Sequence, residues 1–169
     1  HRDLHLSIRR QRQMCIRDRC RQVRAVCFLE DKIVIGLNGR KGTWGIIGGT
    51  IEENETFEET LIREIVEESN MKILGYLPIG YQKVTDSRDG SEFYQLRYVT
   101  RVTPIGPFIS DPAGTIVEIA IIDPSEYKRY FDWKKIGDRI IERALELKEA
   151  TILNAHLPKS ATLDNVGQV

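Results

Sequence analysis

The chain has little cysteine, and the three it has form no framework. Cys15, Cys20 and Cys27, among 169 residues, show neither metal-site spacing nor an even set for disulfides. That suits a reducing, cytoplasmic setting. Net charge is also missing. Lys and Arg number 25 and Asp and Glu number 25, so no basic field points to nucleic acid. No apolar run approaches the length needed to cross a bilayer, and no internal repeat or linker is visible. The composition, 41% hydrophobic and 30% charged, is that of a soluble globular domain with one core.

The first twenty residues, HRDLHLSIRRQRQMCIRDRC, carry six Arg and two Asp but no Lys or Glu. They show no strand or helix period and lack the apolar core of a signal peptide. The piece MCIRDR resembles a translated sequencing adapter. Residues 1–20 are therefore expected to be a non-native or disordered arm, residues 21–150 the folded domain, and 151–169 a loosely held tail.

From Arg21 the pattern is orderly. VRAVCFLE and KIVIGLN read as a hairpin turning at Glu30-Asp31, and GRKG (39–42) as a loop. TWGIIGGTIE reads as a strand, a glycine turn at Gly48-Gly49, then strand again. Thr56 with Glu59 forms a capping box, so a helix is expected from about Phe57. Leu61, Ile62, Ile65 and Val66 supply its apolar side, and Asn70 suits a left-handed C-terminal cap. Two long strands follow, joined by a turn at DSRDGS. A Pro- and Gly-rich loop (103–115), the strand IVEIAIID, the short helix PSEYKRYF and a longer amphipathic helix complete the chain. Trp133 is expected to anchor that last helix. The order predicts an α+β fold, a mixed sheet flanked by helices.

One feature of the first helix is electrostatically odd. Glu64, Glu67 and Glu68 stand at i, i+3 and i+4 near its C-terminal end, where the dipole disfavours acids and no Lys or Arg lies in the last turn. Two readings follow from spacing alone: a solvated acidic face, or three carboxylates converging on a hard divalent cation. The nearby Gly48-Gly49 permits close approach of backbone to a ligand.

The same residues resemble the signature of the Nudix (MutT-like) hydrolases. That signature is a glycine, a glutamate, an Arg-Glu pair, an aliphatic, a Glu-Glu pair, a glycine and an aliphatic at fixed spacing. Gly49, Glu55, Arg63, Glu64, Ile65, Glu67, Glu68 and Met71 stand in register with it. Asn70 replaces the usual glycine, and Ile47 replaces the proline common just upstream. The resemblance implies an α/β/α sandwich and hydrolysis of a nucleoside diphosphate linked to another group. It implies Mg²⁺ or Mn²⁺ held by Glu64, Glu67, Glu68 and the Gly48 carbonyl, with Glu55 and Arg63 as organisers. It implies a small-molecule nucleotide as partner, with neither nucleic acid nor membrane, and it allows a homodimer.

Glu118, which precedes an apolar strand as the family's late glutamate does, is the candidate base; an outward-facing strand glutamate is the alternative. Tyr81, Tyr94 and Arg97 are candidate substrate contacts. Trp44, Phe93 and Tyr98 are further aromatics able to stack on a base, and Lys83 and Arg88 further cations able to meet phosphate. Asp86, Asp89 and Glu92 flank a turn and read as solvated. Subfamily marks for ADP-ribose, dinucleoside polyphosphate and coenzyme A are absent. The expected substrate is accordingly a nucleoside triphosphate or oxidised nucleotide. A nucleotide-sugar pyrophosphatase and a non-catalytic nucleotide-binding regulatory domain are the alternatives.

Overall fold

A six-stranded mixed sheet carries the molecule, and its central strands are apolar on both faces. The computed structural model describes residues 16–151. In chain order the elements are β1 (Cys20–Leu29), β2 (Lys32–Asn38), β3 (Thr43–Thr50), α1 (Phe57–Ser69), β4 (Met71–Thr85), β5 (Glu92–Pro104), β6 (Ile116–Ile122) and α2 (Lys134–Leu147). Across the sheet the order is β4-β5-β1-β3-β2-β6. β1 and β5 run parallel, and the other pairs are antiparallel.

Alternation along β1 explains the two layers. Val23, Ala25 and Cys27 pack with Leu61 and Ile65 of α1, together with Leu96 and Tyr98. Val26 and Phe28 point to the opposite face, with Ile140, Ile141 and Ala144 of α2. Period-two alternation sends neighbours to opposite faces, so a strand apolar at both parities must be covered on both sides. The result is a helix–sheet–helix sandwich, as expected.

Local signals set the ends of α1. Thr56 accepts from the Glu59 amide while the Glu59 side chain accepts from the Thr56 amide, a complete capping box. Asn70, at φ 51° and ψ 43°, closes the helix in the left-handed region, its amide donating to the Val66 carbonyl. Leu61 and Ile65 are fully buried, each contributing roughly 1.5–3 kcal/mol of burial. Ile62 and Val66 are 48% and 39% exposed. The buried stripe is narrower than the apolar side read from the sequence: Leu61 and Ile65 pack into the core, whereas Ile62 and Val66 are left at the surface.

Two further details differ from expectation. Gly48-Gly49 is not a turn. β3 runs through both, pairing Gly48 with Arg24 and Gly49 with Val23, and no second strand follows. PSEYKRYF forms a 3-10 turn at Pro124–Arg129, started by the Asp123 side chain accepting from the Ser125 amide. Trp133 sits at the N-terminal boundary of α2 and packs on the core, 4.6 Å from the Phe131 ring centre. Residues 16–20, expected to belong to the arm, are described: Cys20 opens β1, and the Arg19 carbonyl accepts from the Tyr94 amide at 3.0 Å. The arm through residue 15 and the tail after 151 lie outside the described residues.

Candidate active site

Arg63 is the centre of the acidic helix face. Its Nε donates to Glu55 Oε1 at 2.7 Å and its Nη2 to Glu55 Oε2 at 2.9 Å, a two-pronged pairing. Nη2 also reaches the Thr50 carbonyl at 3.1 Å. Nη1 donates to Glu64 Oε1 at 2.8 Å and to Glu67 Oε2 at 3.2 Å. One guanidinium thus ties the loop after β3 to the helix and lies between two of the three carboxylates. Glu55 is held in turn by Thr60 Oγ1 at 2.7 Å and by the Glu52 amide at 3.1 Å.

Glu68 is placed differently. Its Oε2 accepts from the Gly48 amide at 2.8 Å. Gly48 has φ +135°, and a Cβ there would stand 2.2 Å from the Val23 carbonyl oxygen. At Gly49 a Cβ would stand 2.2 Å from Glu64 Oε1. The glycine pair therefore lets the helix carboxylates press against the β3 backbone. Glu64 and Glu68 are 9% and 5% exposed, and Glu67 is half-buried.

Their electrostatics follow from that placement. Burial pushes the Glu68 carboxyl up to about 7, opposed by the Gly48 amide and the charge of Arg24, with Glu64 and Asp111 adding to the rise. Burial also raises Glu64 against its bond to Arg63. Glu55 is drawn down to about 2, chiefly by its hydrogen bonds from Arg63. Arg63 is raised, first by its bond to Glu55. Two buried carboxylates disfavouring charge, beside a third, form a site short of positive charge. Among the described residues no group of three or more His, Cys, Asp or Glu is arranged to hold a metal ion, Glu64 and Glu67 being drawn to Arg63 and Glu68 to the Gly48 amide. The chemistry of the donors, three hard carboxylate oxygen sets, fits a cation such as Mg²⁺ that takes a few carboxylates and completes its shell with water and phosphate.

The other candidate residues scatter. Glu118 is exposed on edge strand β6 opposite Leu37, and its side chain makes no hydrogen bond or ion pair among the described residues. Tyr81 and Tyr94 meet edge to face, ring centres 5.6 Å apart, on the α1 side of the sheet. Arg97 lies on the opposite side, 3% exposed, so these three do not share one pocket. Lys83 is taken by Glu92 at 2.6 Å and Arg88 by Asp86 at 2.7 Å. Trp44 packs on Tyr130, and Tyr98 is buried in the core.

Two residues near the site were not singled out from sequence. Arg24 interrupts the apolar run Val23–Leu29 of β1, a legible anomaly. Asp111 is buried in the 103–115 loop, accepting from the Ala113 amide at 2.8 Å and the Thr115 and Ile116 amides at 2.9 Å. It gave no pattern signal, because its partners are all backbone.

A helix presenting glutamates against a strand that runs through two glycines, in this sandwich, defines the class. The model of the NUDIX domain matches residues 18–144. The chain belongs to the Nudix family and is, by class, a hydrolase of phosphorus-containing anhydrides. Among solved structures it is similar to a Nudix hydrolase from Nitrosomonas europaea (20% identity, 74% of this chain and 87% of that one, TM-score 0.63). It is also similar to the Bacillus subtilis pyrophosphohydrolase BsRppH (16% identity, 79% and 84%, TM-score 0.64). A third similar structure is the Nudix domain of Shewanella oneidensis NrtR complexed with ADP ribose (19% identity, 76% and 87%, TM-score 0.53). Among curated proteins no match to the chain was found. No helix among the described residues is long and apolar enough to cross a membrane.

Proposed function

We propose that the protein hydrolyses a phosphoanhydride in a nucleoside diphosphate linked to a further group, with Mg²⁺ or Mn²⁺ as cofactor. The observation that carries this reading is the pair of buried carboxylates, Glu64 and Glu68, seated against Gly49 and Gly48 beside Glu67. Glu64, Glu67 and Glu68 would hold the cation, with the Gly48 carbonyl as a further donor. When bound, it supplies charge neutralisation for the diphosphate and a more acidic water.

The chain's own groups do the rest. Arg63, locked on Glu55 and the Thr50 carbonyl, fixes the rotamers of Glu64 and Glu67, so their oxygens are positioned before substrate arrives. Gly49 leaves room for the Glu64 carboxyl, and the Gly48 amide orients Glu68. A carboxylate must accept the proton of the attacking water. Glu118 is assigned that role as an exposed acid free of competing partners. The folded unit, residues 21–150, carries all of these groups. The substrate class favoured is a nucleoside triphosphate or oxidised nucleotide, giving a nucleoside monophosphate and pyrophosphate.

The test is product chromatography with Mg²⁺ across triphosphates, oxidised triphosphates, nucleotide sugars and dinucleotides. Cleavage of phosphate monoesters alone, with anhydrides untouched, would refute the reading. A second reading draws on the NrtR domain complexed with ADP ribose, namely nucleotide binding for regulation. Tight ADP-ribose binding without turnover would favour it.

A further inference from the structure

Arg97 is a buried cation without a counter-ion. It lies on β5 at 3% exposure. Its Nη2 donates to Gln82 Oε1 at 2.5 Å and to Gln95 Oε1 at 2.6 Å. A guanidinium has five N–H donors, so Nη2 accounts for two. Nε and Nη1 are buried and have no hydrogen-bond partner among the described residues. The Trp133 ring lies 5.6 Å from Cζ. An aromatic face engages the flat face of a guanidinium, whereas the unused hydrogens lie in its plane, so the ring does not satisfy them.

A second cation stands next to it. Arg24 on β1 is register-paired with Arg97, and its Nη1 is 3.4 Å from the Ile46 carbonyl oxygen. Neither arginine forms an ion pair among the described residues. Burial first, and the charge of Arg24 second, pull the Arg97 guanidinium down to about 9. Arg63 shows the ordinary arrangement in this same molecule, with Glu55, Glu64, Glu67 and the Thr50 carbonyl around one guanidinium. Burying a charge without a partner is strongly unfavourable. Here the fold sets a second cation beside Arg97 and leaves two of the Arg97 donor atoms unmatched.

The register sets them in one row with Gly48, the residue whose amide holds Glu68. Gly80, Arg97, Arg24 and Gly48 form one row across β4, β5, β1 and β3. A glycine stands at each end of the row, so neither end position contributes a side chain. With strands about 4.8 Å apart, the Cα of Arg97 is roughly 10 Å from that of Gly48. Arg24 and Arg97 share the face of Val26, Phe28 and Val99, toward α2.

We propose that Arg97 and Arg24 form an anion subsite on the α2 face of the sheet, which takes a phosphate-class anion through the unused Nε and Nη1 donors. Such an anion supplies both the missing counter-charge and in-plane acceptors, which a guanidinium binds in a two-pronged manner. Its source is either a phosphate group of the substrate beyond the cleaved anhydride or free inorganic phosphate. Assigning it to a substrate rests on the nucleotide-hydrolase reading above; the subsite itself does not.

The test titrates inorganic phosphate into the metal-free protein in EDTA, following melting temperature and heat of binding. Phosphate is expected to raise the melting temperature of the wild type and of Glu68→Gln. Arg97→Met, which removes the unmatched charge but keeps a long apolar side chain, is expected to melt at or above wild type without phosphate. It should bind phosphate at least ~10-fold more weakly. Arg97→Lys keeps the charge but loses the planar fork, and is expected to bind several-fold more weakly. No phosphate response in the wild type, or wild-type affinity in Arg97→Met, would overturn the subsite. Should Arg97→Met not fold, wild-type affinity in Arg97→Lys would overturn it.

Steady-state kinetics with Mg²⁺ then separates the sources. Phosphate that raises KM and leaves kcat unchanged marks a group of the substrate. Phosphate that changes kcat at constant KM marks a free effector. Because binding is read in EDTA, a protein that binds phosphate but hydrolyses nothing refutes the activity and keeps the subsite. An active protein that ignores phosphate does the reverse.

Discussion

Adjacent glycines should fail in opposite ways. At Gly49 an added Cβ would lie 2.2 Å from Glu64 Oε1, 2.4 Å from its Cδ and 2.6 Å from its Oε2. Ordinary contact needs about 3.5 Å, so Gly49→Ala must drive the carboxyl back by about 1 Å. That carboxyl is the end of a flexible side chain and the Gly49 backbone is not left-handed, so the fold absorbs the change within ~1 kcal/mol. Turnover does not, because a misplacement of about 1 Å in catalytic machinery costs on the order of 100-fold, or about 2.7 kcal/mol of barrier. At Gly48 the Cβ would meet backbone, 2.2 Å from the Val23 oxygen and 2.7 Å from the Arg24 Cα, at φ +135°. Neither neighbour can rotate away, so Gly48→Ala is expected to cost ~3 kcal/mol or more of stability. Urea melts and single-turnover rates on the best substrate found would be compared for both variants. Near-normal turnover in Gly49→Ala, or the same loss of stability in both, would refute the assignment of Gly49 to the Glu64 carboxyl.

Glu67→Gln and Glu68→Gln are each expected to leave a folded protein with most turnover lost at saturating Mg²⁺; near-normal rates in either would remove that residue from the metal set. Glu118→Gln should lower kcat and leave the Mg²⁺ requirement unchanged if Glu118 takes the proton, and an unaltered kcat would move that role elsewhere. Glu55 should make stability acid-sensitive: its folded carboxyl lies at about 2, below the ordinary ~4.3, so its contribution is present above the unfolded value and is lost as pH falls toward 2. Discounted for partial exposure, the wild-type advantage over Glu55→Gln should be about 1–2 kcal/mol near pH 6 and fade by pH 2 in acid melts, and a constant difference would contradict it. Deleting residues 1–15 should leave the melting temperature unchanged, because their sequence offers no periodic apolar face; a large fall would show that they belong to the fold.

What could be read in advance was what depends on near neighbours. The Thr56–Glu59 box, the Asn70 cap and the i, i+3, i+4 face need only helix geometry, and the chain spells them locally. The Gly48-Gly49 turn was misread because a glycine pair signals a turn only when nothing pairs with it. Here β1 pairs with it, from more than twenty residues away, and the demand for glycine comes from the Val23 carbonyl and the Glu64 carboxyl. Ile62 and Val66 look like core for the same reason, since periodicity shows which side is apolar but not how much of it another element covers.

Arg63 and Arg97 mark where sequence reasoning stops. Arg63 stands inside a dense acidic pattern, so its partners can be guessed from spacing, and four of its contacts are within its own helix or the preceding loop. Arg97 has no such neighbours in the chain; alternation alone would let it point to water. Only the arrival of Trp133 from the far end of the domain, and the parallel pairing of β5 with β1, turn it inward beside Arg24. The local sequence thus encodes a satisfied cation that organises carboxylates. The assembled sheet produces an unsatisfied one, and an unsatisfied buried charge has a stabilising partner only when something outside the described chain supplies it. Chemistry written in a motif is expected to be common to the family, whereas the Arg24–Arg97 row, made by long-range packing, is where this member's own specificity would be built.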